Sequence, residues 1–359
     1  MRDRHILLTL LLFVALSMKA QQKIVVSAKP DVILIEQVRG QQVCNFDFVI
    51  ENKSQDSLQL DKLTMSVYDA KGQLLQQKFL DNNGTAPSIE TIAVRQWSGA
   101  ERHLLFNPFP PYPAALPVKT IKYEFVFSGP KGQETIVEKV VEPVAYKQKT
   151  ALILPLKQRL LVYDGHDQLS HHRRFNYEFP PIKELGLASN FMRYAYDFVV
   201  VDAANKKYKS DGKADEDWYG YGAGVQAVAA GKVVAVRNDQ PDNKKFDVPS
   251  LKTNALALYG NYVVVEHSKG ELSMYGHLKQ SSIPLKVGDN VQQGQQIGQI
   301  GVSGSSFFPH LHFEIRTSTD HAAEGLPSYF SNFYFLMGDK KEKVKRATVD
   351  TGDIIQSIK

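Results

Sequence analysis

Residues 309–316 read PHLHFEIR, so that His310 and His312 flank a single leucine and Glu314 follows two positions later. Side chains alternate across a strand, which puts His310, His312 and Glu314 on one face and Leu311, Phe313 and Ile315 on the other. Imidazoles at this spacing can ligate a metal or move protons near neutral pH. The same pattern also describes a half-buried strand whose histidines meet water or local carbonyls. The surrounding sequence bears on the choice. Seven of the ten histidines, His166, His171, His172, His267, His277, His310 and His312, fall between residues 150 and 318. Asp197 stands inside the apolar run YAYDFVVV, where a carboxylate is costly to bury unless it is paired or bound to a metal.

The elements that must position these groups are short strands. From about residue 150 to 338 the runs RYAYDFVVVD, GVQAVAAGKVVAVRN, GNYVVVEHS and ELSMYGHL precede the glycine-punctuated KVGDNVQQGQQIGQIGVSG. Glycine every few residues between paired apolar positions suits tight hairpins in a strongly coiled sheet. Two polar inserts, AANKKYKSDGKADEDWYGYG and DQPDNKKFDVPSLKTNA, are too long for plain hairpins and are expected to rim a site. Trp218, Tyr219 and Tyr221 in the first insert fit a groove wall or local packing equally well. Upstream, Leu63, Met65 and Val67 alternate before DAKG, and Ile121, Tyr123, Phe125 and Phe127 alternate before SGPKG. The fold class expected is therefore all-β, with an immunoglobulin-like β-sandwich over residues 21–147 and an antiparallel β-sheet domain over 148–338. The charged stretch 339–359 reads as a surface tail.

The chain of 359 residues is long enough for two independently packed cores. Residues 1–20 carry a basic start, an apolar run from Ile6 to Leu16 and a small residue at Ala20, the pattern of a secretory signal peptide that is too short to span a bilayer. The expected location is the periplasm or cell envelope, or the extracellular space. A single cysteine excludes an intramolecular disulfide, and Cys44 alternates with Phe46, Phe48 and Ile50 as a core residue would. The net charge of +5 suits an anionic surface such as a cell wall. It lacks the basic stripe that nucleic acid requires.

The order of motifs, aspartate strand, GKVVAV, GNYVVVEH, SMYGHL, VGDNVQQGQQIGQIGVSG and PHLHFEIR, resembles the lysostaphin-like zinc metallopeptidases, M23 endopeptidases that cut peptidoglycan cross-links. The likeness spans roughly residues 150–318. A cupin would place its glutamate several residues beyond the second histidine, not two. The resemblance implies a lysostaphin-like sheet, one Zn2+, and peptidoglycan as substrate. It makes His312 and Asp197 metal ligands, and His277 and His310 catalytic. Glu314 could orient a ligand imidazole from behind, or be a rim carboxylate.

One departure is informative. The family's first motif has a ligand histidine four residues before the aspartate, and here that position is Arg193, whose guanidinium cannot ligate a cation. The replacement candidates lie upstream in DGHDQLSHHRRF: His172 or His171, with His166 a further candidate. The alternative for this stretch is a solvated turn. His267 reads as a surface strand end and His103 as solvated surface. Three functions follow: a zinc endopeptidase acting on peptidoglycan, a degenerate M23-like protein that binds the wall or regulates a hydrolase, and a zinc peptidase acting on proteins. In the last, the N-terminal sandwich would dock a protein partner.

Overall fold

The computed structural model describes residues 23–109, 111–267 and 270–358; the expected signal peptide lies outside the described residues. Among them the structure is almost entirely β, and the α-helical element, Pro180–Lys183, is four residues long. The all-β expectation holds.

Residues 23–145 form three small sheets. Strand Thr120–Ser128 alternates strictly, burying Ile121, Tyr123, Phe125 and Phe127, and it pairs with Leu58–Tyr68, which buries Leu63, Met65 and Val67. Strand Asp47–Asn52 of a second sheet faces them. The Phe48 ring meets Tyr123 and Phe125 edge-on at 4.8 and 5.0 Å, so the two sheets share one core, with Cys44 inside it as its alternation implied. Each large apolar side chain withdrawn from water in this way contributes roughly 1.5–3 kcal/mol.

The second half is organised by one large sheet. Its middle strands run in the order Asn261–Glu266, Leu272–Leu278, Leu311–Arg316, Tyr196–Val200 and Arg159–Asp164, each antiparallel to the next. Leu272–Leu278, Leu311–Arg316 and Tyr196–Val200 are buried along their whole length. One face sends Val263, Tyr275, Phe313 and Phe198 into the main core. The other face is polar, yet it is not the half-exposed surface that alternation alone suggests. A second apolar cluster, including Leu187, Phe191, Met192, Leu251 and Tyr259, roofs it.

The residues expected to form a charged tail are instead part of this sheet. Lys340–Ala347 pairs with Phe330–Met337, and Ile354–Ser357 inserts between Phe330–Met337 and Arg159–Asp164. Lys340–Ala347 lacks an apolar alternation because it is an edge strand, held by backbone pairing with its side chains mostly in water. Ile355 supplies the burial that anchors the terminal strand.

Candidate metal centre

Three strands and one turn build the site. Tyr196–Val200 and Leu311–Arg316 pair so that Asp197 lies directly opposite His312, and His312 is opposite Gly276 on its other side. Gly276 is glycine for a steric reason: a Cβ there would stand 2.9 Å from the Tyr259 ring. His277 follows with φ of +59°, a left-handed conformation that costs a non-glycine residue of order 1–3 kcal/mol. Its Nδ1 is fixed by the Ser303 carbonyl at 2.9 Å. His310 is fixed likewise by the Phe308 carbonyl at 2.8 Å. In both rings Nδ1 is therefore the donor, and Nε2 is left as the acceptor.

The turn comes from the segment after strand Arg159–Asp164. Asp164 accepts the backbone N–H of His171 at 3.1 Å and of His172 at 3.3 Å, and the Ser170 hydroxyl at 2.8 Å. Asn190 closes the far side by donating to the carbonyls of His172 and Arg173 at 3.1 and 2.9 Å. These bonds carry the turn over the sheet.

The result is a convergence on one oxygen. Asp197 Oδ1 lies 3.2 Å from His312 Nδ1, 3.4 Å from His310 Nε2 and 3.7 Å from His172 Nε2, and all of these side chains are buried. Ligand atoms at about 2.0–2.2 Å from a tetrahedral Zn2+ stand roughly 3.3 Å apart, a spacing that the Asp197–His312 pair matches and the Asp197–His172 pair approaches. The far nitrogens agree with ligation. His172 Nδ1 is 2.8 Å from Asp164 Oδ2, close enough for an ion pair but without hydrogen-bond geometry. His312 Nε2 and Glu314 Oε2 face each other at 4.0 Å, both buried and without a hydrogen bond. An imidazole that ligates through one nitrogen presents its other N–H to such a carboxylate. Glu314 is itself held through Oε1, by the Tyr259 hydroxyl at 2.7 Å and Arg316 at 3.1 Å.

The remaining histidines sort by geometry. His171 lies beside the cluster with Nδ1 2.9 Å from Asp164, but its side chain is 68% exposed. Asp164, His171, His172 and Asp197 offer donor atoms that all lie within 4.8 Å of one another. His166 is elsewhere, between the Tyr196 hydroxyl at 3.0 Å and Glu36 at 3.3 Å. His267 is a buried residue and not a surface strand end, because the Ala230 carbonyl and the Ser273 hydroxyl satisfy both ring nitrogens at 2.8 and 2.9 Å. Arg193 pairs with Asp47 at 2.6 Å, both side chains being buried.

Burial governs the protonation pattern. It pushes the Asp197 carboxyl up, but His172 and His310 outweigh it and hold Asp197 well below the usual carboxylate range. Burial depresses His172, with Asp197 opposing only in part. Burial, then the neighbouring His310 and His312, holds His277 well below an ordinary histidine. For His312 burial also lowers the value, yet Asp197 and Glu314 prevail and lift it to about 9. Burial likewise raises Asp164, and His171 and His172 more than reverse it. Asp197 is thus anionic and His172 neutral, the state in which each can ligate a metal, while His312 must first give up a proton.

The cluster opens into a cavity of about 580 Å3 whose walls include Phe175, Met192, Phe246, Leu258 and Phe307. Both expected inserts reach its rim. Phe246 belongs to the second, while Trp218 of the first stacks on Phe308 at 5.2 Å, next to His310. Sequence reading passed over Asp164, although LLVYD shows the same signal as YAYDF, a carboxylate attached to an apolar strand.

Comparison with known proteins gives a family match within the second half. Residues 218–324 match the model of peptidase family M23. That stretch includes His277, His310 and His312; Asp197, Asp164 and His172 precede it. Among curated proteins, the murein hydrolase activator EnvC of Escherichia coli is 50% identical over 58 residues, 16% of this chain and 13% of the relative. The peptidoglycan DD-endopeptidase ShyA of Vibrio cholerae is 45% identical over 56 residues, 16% and 13%. This chain thus spans about an eighth of the length of those relatives. Among solved structures, the catalytic domain of lysostaphin from Staphylococcus simulans is 25% identical, covers 37% of this chain and 74% of that one, and superposes with a TM-score of 0.24.

Proposed function

We propose that this protein is an exported zinc endopeptidase that hydrolyses amide bonds in the peptide cross-links of peptidoglycan. The observation that carries the reading is the convergence of Asp197 Oδ1, His312 Nδ1 and His172 Nε2, with the Nε2 atoms of His277 and His310 turned to the same cleft. Zn2+ held by those three groups would act as a Lewis acid and bring the pKa of a water in its open position towards ~7.

The chain's own residues do the rest. His310 and His277, each fixed as the Nδ1–H tautomer by a backbone carbonyl, keep Nε2 free to take the proton of the attacking water. Protonated, they donate to the oxyanion of the tetrahedral intermediate and then to the leaving amine. Depression of His277 keeps it a base at neutral pH. Asp164 and Glu314 orient the two ligand imidazoles. The apolar walls around the cavity exclude water and accept the peptide. The positive net charge favours the anionic wall. Two relatives support the substrate class by their names, one a DD-endopeptidase and one a murein hydrolase activator.

The activator supports a second reading, a wall-binding regulator without activity, motivated by Arg193 at the family's ligand position. Muropeptide release from isolated sacculi by residues 21–359 tests the choice. The endopeptidase reading expects release by the unaltered protein and none by the His310→Ala variant. Sedimentation with sacculi without release from either would leave the regulator reading standing and overturn the enzyme.

A further inference from the structure

We propose that the N-terminal unit is a structural part of the metal site: it clamps the segment that carries His172, and the Asp47–Arg193 pair is the central fastening. This rests on His172 being a ligand.

The segment between Asp164 and Pro180 has no strand, only separate turns and one three-residue 3-10 element, His172–Arg174. A loop of this kind would pay a substantial entropy cost to hold one imidazole in place. From its own unit it receives the Asp164 and Asn190 bonds described above, Thr351 against Gly165 and Asp167, the Tyr196 hydroxyl on His166, Lys183 on Glu178 and the packing of Phe175 on Phe191. The N-terminal unit adds a second set of contacts on the opposite side. Arg173, the residue next to His172, donates to the Asn107 carbonyl at 3.0 Å. Asn45 donates to the His166 carbonyl at 3.3 Å, and Glu36 meets the His166 ring. Arg102 grips Glu178 with two bonds, at 2.9 and 2.7 Å. Tyr177 packs with Val49 and Leu104 in an apolar cluster shared by the two units.

The same pad holds the second ligand strand. The Asn45 amide that reaches His166 also reaches the Arg193 carbonyl at 3.4 Å, and Tyr194 donates to the Asn45 carbonyl. Asp47 takes the Arg193 guanidinium four residues before Asp197. Asn45, Asp47 and Asn107 are neighbours within the N-terminal unit, since Asn107 bonds the Phe46 and Cys44 carbonyls. One rigid surface thus sets the spacing between the chain segments that deliver His172 and Asp197. The arginine that cannot ligate fastens the strand of Asp197 to the same surface that holds the His172 segment through Arg173.

The test uses the full chain and two readouts of the site, zinc affinity by chelator competition and the visible spectrum of the cobalt-substituted protein. Asp47→Asn and Arg173→Met are expected to weaken zinc binding at least about tenfold, the scale for residues that orient ligands, and to shift the cobalt bands. Arg173→Lys, which keeps a donor for Asn107, is expected to restore both. Lys119→Ala cuts an ion pair with Glu142 inside the N-terminal unit, and is expected to change neither. Should Asp47→Asn fail to fold, the Asp47→Leu/Arg193→Met pair removes both buried charges together, with the same expected loss. Wild-type affinity and cobalt bands in Asp47→Asn and Arg173→Met, with His172→Ala weakened, would overturn the clamp and leave the site reading intact. Unchanged binding in His172→Ala would overturn the site reading itself.

Discussion

Asp164 offers the sharpest quantitative handle on the site, because it performs two separable tasks. Its oxygens accept two backbone N–H groups and the Ser170 hydroxyl, which shapes the turn, and its charge faces His172 Nδ1 at 2.8 Å. Asp164→Asn keeps an acceptor oxygen for the turn but removes the charge. Loss of a carboxylate behind a ligand histidine costs 10- to 100-fold in metal affinity as an order of magnitude, about 1.4–2.7 kcal/mol. Asp164→Ala removes the turn bonds as well, and hydrogen bonds to a charged group contribute roughly 1.5–3 kcal/mol each before compensation by water. Because the turn uses both oxygens, the asparagine variant should bind zinc 10- to 100-fold more weakly with a melting temperature in chelator between those of the parent and the alanine variant, which loses more of both. Chelator-competition titration reads the first quantity and thermal unfolding in EDTA the second. Parental zinc affinity in Asp164→Asn would refute the role given to His172.

Other consequences follow from the same geometry. His312, lifted to about 9 without metal, must lose its proton to ligate, so zinc binding at pH 7 should release about one proton from it, read by calorimetry in buffers of different ionisation enthalpy. Release that persists in His312→Ala would count against this. Glu324 is driven by burial, against Arg193, up to about 7. The folded state then holds a proton that the unfolded state has lost, so stability should fall as pH rises from about 4.5 to about 7, by on the order of 2 kcal/mol after screening. Glu324→Gln should flatten that slope, and an unchanged slope would refute the assignment. Arg193→Met strands a buried Asp47 carboxylate and should cost about 3–5 kcal/mol of stability, measured by denaturant unfolding; a loss below about 1 kcal/mol would show the pair to be dispensable.

The strands that carry the site were legible because alternation is a two-residue rule and the apolar set of each strand is large. His310, His312 and Glu314 had to share a face, and Asp197 in YAYDFVVV had to find partners. The candidate from the loop was narrowed only to His171 or His172, since adjacent residues on an irregular turn have no periodicity to separate them; in the fold they differ by burial, His172 being enclosed and His171 exposed. Asp164 escaped notice because a strand-terminal aspartate commonly caps a turn, which it also does here. The roof over that face is built from Leu187, Phe191 and Met192 of one irregular segment and Leu251 of another, without a shared period. The last strands were illegible for a related reason: KKEKVKRA pairs through its backbone, and backbone hydrogen bonds leave little trace in side-chain pattern.

The central claim is that His172, Asp197 and His312 hold one zinc ion. Crystals of the zinc-loaded protein, measured on both sides of the zinc absorption edge, test it directly. The account predicts one anomalous peak, within about 2.0–2.2 Å of His172 Nε2, Asp197 Oδ1 and His312 Nδ1, with Arg193 still on Asp47. A peak held by Asp164 and His171 instead, or zinc bound without His172, would contradict it.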